Sequence, residues 1–221
     1  DTGLALIVGS EFTLVDGLKL VCLAASRQGY AALSRLITKG RRAAPKGCYR
    51  LERTDLADGL DGCLALWLPG PLPRAEEAAW LRERFPGRLW LAVELPTAGT
   101  DRERLRTLGA LARELGLPAV AAGDVHMHQR RRRALQDTLT AVRLKTTVAR
   151  AGHALHPNGE RSLRTLDRLA ELFPAGLLEA TLDIAGRLPT EEETAAFLAS
   201  TEADKRDLVI DDLLRSPDHA Y

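Results

Sequence analysis

Asp124, His126 and His128 stand at alternating positions in PAVAAGDVHMH, just past a short apolar run, and four arginines, Arg130 to Arg133, follow at once. On an extended segment the side-chain period is two, so Asp124 and His126 point the same way and can address one ion. Glu11, after the apolar run LALIVGS, offers a second carboxylate. A mixed carboxylate and imidazole set suits zinc, manganese or iron. Such an ion hydrolyses phosphoesters by activating water and neutralising the phosphate. His128, on the same alternation, is a further candidate ligand. A D-x-H in a loop serves equally as a turn acid beside a surface histidine, so the motif alone leaves both readings open.

The arginines also admit two readings. Arg130, Arg131 and Arg132 could contact phosphate or nucleic acid, or the run could be the solvated start of a helix in which Asp137 pairs with Arg133. Lys and Arg total 31 against 30 Asp and Glu, a net charge of +1. Bulk charge therefore does not carry the chain to nucleic acid, and any such binding has to come from local clusters. His153 and His156 form an H-x-x-H in a loop rich in Gly, Pro and Asn, the composition of an ordered turn. Cys63 and the three tryptophans, Trp67, Trp80 and Trp90, fall within apolar patterns and are expected in the core. No nucleophile elbow, P-loop or dinucleotide fingerprint is present.

These groups need a scaffold, and the chain alternates strand-length apolar runs with helical patterns. The runs are 4–9, 18–25, 63–70, 89–95 and 118–124. Helical stripes fall at 28–40, where Tyr30, Leu33, Leu36 and Ile37 share a face, and at 73–85 and 101–116, the last closed by Gly116 and Pro118. Nearly continuous apolar strands separated by helices predict parallel pairing with both faces covered, hence an α/β sheet or barrel. In such folds chemistry gathers where strands end, the position expected for Glu11 and Asp124. After residue 125 the pattern turns helical, at about 130–144, 160–172, 175–186, 190–200 and 204–215. Thr190 and Glu193 form a capping box at the fourth of these.

The 221 residues, 45% hydrophobic and 28% charged, are globular in composition, neither disordered nor membrane-spanning. Cys22, Cys48 and Cys63 are odd in number and match no C-x-x-C spacing, so a reducing cytoplasm is the expected home. No leader pattern opens the sequence, which begins almost directly inside a strand pattern and so suggests that upstream elements are missing.

Several long stretches taken together, IVGSEF, DGLKLVCLAASRQGYAALSRLITKGRRAAPKGCYRL, FPGRLWLAVEL, LPAVAAGDVHMH, RRALQDTLTAVRL and HPNGERSLRTLDRLAELFP, closely resemble the N-terminal region of bacterial error-prone DNA polymerases of the C family, the DnaE-like or ImuC group. The resemblance covers about residues 3–187. It implies a PHP domain, a distorted β/α barrel with a metal cluster at its strand ends, joined in cis to a polymerase palm. It also implies DNA and damage-tolerance proteins as partners of the parent, magnesium for the parent's nucleotidyl transfer, and roles in repair and translesion synthesis. Glu11 matches the acid of the family's G-x-E motif, and Asp124 with His126 match its D-x-H motif, as ligands for zinc or manganese. The family's H-x-H pair would lie upstream of Asp1. Lys19 stands where replicative relatives have a histidine ligand, and the palm aspartates lie outside this sequence.

The expected architecture is thus α/β: a partial, open PHP-type barrel lacking its first β/α units over 1–145, a helical connection toward the palm over 146–187, and an all-helical segment over 188–221. That last stretch, GRLPTEEETAAFLASTEADKRDLVIDDLLRSPDHAY, resembles a planctomycete-type domain of unknown function, which implies a hybrid chain joined near 183–187. Two other readings of the residues stay open. One is a free-standing metal-dependent phosphoesterase, the other a non-catalytic module that binds DNA or protein.

Overall fold

The computed structural model describes residues 7–97 and 99–185. The helices expected at 190–200 and 204–215, with the Thr190 capping box, lie outside the described residues. So do residues 4–6 of the first expected strand. The described chain divides into two compact units, one holding the residues up to Ala92 and those from Thr181, the other Val93–Ala180.

The first unit opens on a hairpin. Strands β1 (Gly9–Thr13) and β2 (Lys19–Ala24) pair antiparallel, Glu11 opposite Val21 and Thr13 opposite Lys19. The turn is dictated by Asp16-Gly17: the Asp16 carboxylate accepts the Leu18 N–H at 3.1 Å, and Gly17 takes φ +89°. Of the strand expected over 4–9, the described residues place only Gly9 in a strand. Pairing across the hairpin draws the strand to Gly9–Thr13 and puts Glu11 in its middle instead of past its end.

Strand β3 (Cys63–Trp67) pairs antiparallel with β2, and β4 (Leu89–Glu94) pairs parallel with β3. With β5 (Ala119–Ala122) the strand order is β1-β2-β3-β4-β5. The all-parallel pairing expected from the apolar runs therefore fails for the first three strands. A five-residue link between β1 and β2 can join only antiparallel neighbours. The parallel β3–β4 step has the helix it requires, α2 (Ala75–Arg84).

Helix α1 (Arg27–Arg42) starts where Ser26 Oγ accepts the Gly29 N–H at 3.0 Å. It lies so close to the start of β3 that a Cβ on Gly29 would sit 1.9 Å from the Gly62 carbonyl oxygen. Cys63 Sγ meets the Gly29 carbonyl there at 3.3 Å. Leu33 and Leu36 are buried as the helical spacing predicts, but Tyr30 and Ile37, placed on the same face, are exposed. Cys63 and Trp67 are fully buried beside Leu18, Leu20, Leu81 and Phe85. Burial raises the Cys63 thiol above its ordinary range, in keeping with an inert core residue. Trp80 and Trp90 are only half-buried, and Trp80 instead carries the guanidinium groups of Arg53 and Arg84, 5.0 and 4.7 Å from its ring centroid.

The second unit begins within β4. Helix α3 (Asp101–Leu115) ends at Gly116, whose left-handed conformation (φ +60°) closes the helix as expected. After β5 come a 3-10 turn (Arg130–Arg132), α4 (Arg133–Arg143), a single turn α5 (Val148–Ala151), and α6 (Leu166–Leu172). Helix α7 (Ala175–Ala185) follows. The helix expected from 160 starts only at Leu166, because residues 160–164 are drawn into hydrogen bonds with neighbouring segments, described below. No described helix is long and apolar enough to cross a membrane.

Candidate functional site

Asp124 lies two residues past β5, the strand-end position the sequence suggests. Its φ of +42° is left-handed, a conformation Asp tolerates better than most residues. His126 Nε2 lies 2.9 Å from Asp124 Oδ1 across this turn, Val125 is exposed, and Met127 turns into the core. The segment is pinned by a second one. The N–H groups of His126 and Met127 both donate to the Arg161 carbonyl, at 2.9 and 3.2 Å, and the Leu163 N–H returns to the Met127 carbonyl at 3.1 Å.

That pairing delivers Arg161. Its guanidinium forms an ion pair with Asp124 Oδ2, so one carboxylate oxygen faces His126 and the other faces a permanent cation. Arg161 is the functional neighbour that spacing arguments miss, since it comes from 37 residues further along the chain. His156 is another. Its ring centroid lies 4.8 Å from that of His126, tilted by 44°. Burial first, and then the nearby His126, hold the His156 pKa below its ordinary value. Of the H-x-x-H pair, His156 thus reaches the D-x-H turn. His128 points outward and is exposed.

The loop carrying His156 and Arg161 is anchored to the chain just after β4. Asn158 Nδ2 donates to the Pro96 and Thr97 carbonyls at 2.8 and 3.1 Å, and Arg164 donates to the Leu95 and Glu160 carbonyls at 3.1 and 2.9 Å. The basic turn is partly spent on the same loop. Arg130 pairs with Glu160 at 3.2 Å, and Arg131 donates to the Gln129 side chain at 2.6 Å. Arg132 is exposed. Arg133 and Asp137 form the expected i, i+4 pair at 3.5 Å.

Glu11 belongs to the first unit. In mid-strand it pairs across the hairpin with Lys19 Nζ at 3.0 Å. Among the described residues no three His, Cys, Asp or Glu side chains gather as a metal ion requires. The donor set does not fit a zinc or manganese centre: each candidate carboxylate already neutralises a side-chain cation, Lys19 for Glu11 and Arg161 for Asp124. A metal would have to displace those cations and then sit beside them.

The fold and the site define an α/β module whose strand-end acid is closed by an arginine and a histidine. No family model matches the chain. It is 55% identical over 190 residues to the error-prone DNA polymerase of Dechloromonas aromatica, a stretch that makes up 84% of this chain and 18% of that protein. The error-prone DNA polymerase of Pseudomonas aeruginosa is 58% identical over 182 residues, covering 82% of this chain and 18% of its own length. That of Xanthomonas axonopodis pv. citri is 52% identical over 190 residues, with the same 18% of its length covered. The chain is a homologue of one stretch of the error-prone DNA polymerases, and it spans less than a fifth of the length of these curated relatives.

Proposed function

We propose that the chain serves as the PHP region of an error-prone DNA polymerase, a scaffold for translesion synthesis instead of a metal-dependent hydrolase. The observation that carries the reading is the Arg161–Asp124–His126 arrangement, in which fixed side-chain charge does the work that a bound cation would do in a hydrolytic site. The polymerase's own phosphoryl transfer, with magnesium, belongs to the palm. In this reading Glu11, Asp124 and His126 keep the positions of metal ligands but act as hydrogen-bonding and ion-pairing groups that fix loops. Among the described residues no three donors gather around Asp124 and His126 as a metal-dependent phosphoesterase would require. A DNA-contact role would fall to Arg130, Arg131 and Arg132, all exposed, of which Arg130 also pairs with Glu160 and Arg131 with the Gln129 side chain.

Grafting residues 7–185 into the Dechloromonas aromatica enzyme in place of its matched stretch tests the proposal. The chimera is expected to extend primers across a damaged template base, and Asp124→Asn in it is expected to leave extension within about threefold, the scale of a structural substitution away from the chemistry. Loss of extension on Asp124→Asn, or extension by the unsubstituted chimera only when zinc or manganese is added, would refute it.

A further inference from the structure

Helix α4 is amphipathic, yet it is packed with its polar side inward. At 3.6 residues per turn, Arg133, Gln136, Asp137, Thr140 and Ala141 share one face. That face is the covered one. Thr140 and Ala141 are buried, the Asp137 carboxylate is mostly covered, and Arg133 donates to the His156 carbonyl at 2.9 Å. Leu135, Leu139 and Val142 form the opposite stripe, at i, i+4 and i+7, and are 51%, 55% and 67% exposed. A single exposed leucine needs no explanation, but a whole helical stripe turned outward while its polar stripe is buried marks a surface made to be covered.

We propose that this stripe is the docking face for the rest of an error-prone polymerase chain. This rests on the reading that the module works within such a polymerase. More than four fifths of each relative named above lies outside the stretch this chain matches, so a large further body is joined to the module in those proteins. The stripe itself carries no charge, which suits an apolar protein surface and not a phosphate backbone. Arg143, exposed beside the stripe, and Lys145 just after it call for acidic groups at the rim of the partner surface. The occupant is therefore an apolar patch with an acidic edge on the polymerase body.

The test compares the 221-residue chain with the chimera described above. In both, Cys48→Ser removes the exposed thiol of this chain and Leu139→Cys places one in the stripe, while Cys22 and Cys63 stay buried. Alkylation of position 139 by N-ethylmaleimide, followed by peptide mass spectrometry, is expected to be at least about tenfold slower in the chimera than in the chain alone, as for a site that reacts only on local opening. Equal rates would overturn the proposal. So would a rate in the isolated chain that is already slow and rises on dilution, which would show that a second copy covers the stripe. Primer extension is scored separately on the same chimera. An inactive chimera with position 139 protected would count against the scaffold reading and not against the docking face.

Discussion

His126 Nε2 and Asp124 Oδ1 lie 2.9 Å apart, while Arg161 takes the other oxygen of the same carboxylate. Both oxygens of the strand-end acid are thus occupied by groups that the protein supplies. Arg161→Ala would leave a partly buried carboxylate paired only with an imidazole. Its expected cost is about 1–3 kcal/mol, read as a lower urea midpoint with unchanged m-value. If the arginine were an incidental surface contact, the midpoint would not move.

The left-handed backbone at Asp124 separates conformation from charge. Asp124→Ala loses the contacts with Arg161 and His126 and also forces a Cβ-bearing, non-hydrogen-bonding residue into φ +42°, whereas Asp124→Gly loses the same contacts without that strain. Glycine is expected to be the milder substitution by about 0.5–1 kcal/mol. Equal destabilisation in thermal melts would show that the strain is not real.

Two glycines on helices should respond with opposite signs. Gly29→Ala drives a methyl group into the Gly62 carbonyl, a backbone group that cannot step aside, and is expected to cost about 2–3 kcal/mol. Gly109→Ala in α3 meets nothing within 4 Å and should stabilise by up to about 1 kcal/mol. Chemical denaturation of the two variants side by side decides whether α1 approaches β3 as described.

In the first unit the Asp55 carboxylate accepts the Glu52 N–H at 2.7 Å and pairs with Lys39, and these partners hold its pKa below the ordinary value. A carboxyl group whose folded pKa is depressed stabilises the fold fully above its unfolded pKa. That stabilisation is lost as the pH falls through the folded value. Unfolding midpoints should therefore decline as the pH drops below the ordinary carboxylate range of about 4, and Asp55→Asn should flatten that decline. An identical acid slope in the variant would refute the assignment.

Glu77, in the first turn of α2, is buried and accepts from Trp67 Nε1 at 3.1 Å and from Arg74 at 2.7 Å. Glu77→Ala leaves a buried indole N–H without its acceptor and should cost about 2–3 kcal/mol, whereas Glu77→Gln keeps an acceptor and should cost less. A urea series on the two variants orders them.

That Asp124 and His126 meet was legible from their spacing, but they meet across a left-handed turn at Asp124 and not along a strand: Val125 is exposed and Met127 buried. The i, i+4 pair of Arg133 and Asp137 was legible for the same reason. Arg161 and His156 were not, since both arrive through a loop whose position depends on Asn158 and Arg164 holding carbonyls some 60–70 residues away in sequence, bonds with no local signature. The strand pattern misled at Glu11 because a continuous apolar run does not say where pairing starts. The Asp16-Gly17 turn does, and it selects a hairpin. The outward stripe of α4 was likewise hidden: periodicity reveals that a helix has an apolar face, not whether the remainder of the fold covers it.

Whether side-chain cations have replaced a metal ion is tested most directly by measuring zinc and manganese in the purified 221-residue chain. The chain is equilibrated with each ion, passed through a desalting column and analysed by inductively coupled plasma mass spectrometry. Retention well below one ion per chain is expected, because binding would have to free Asp124 from Arg161 before a ligand set could form. One ion retained per chain, lost together with model phosphoester hydrolysis in both Asp124→Ala and His126→Ala, would contradict it.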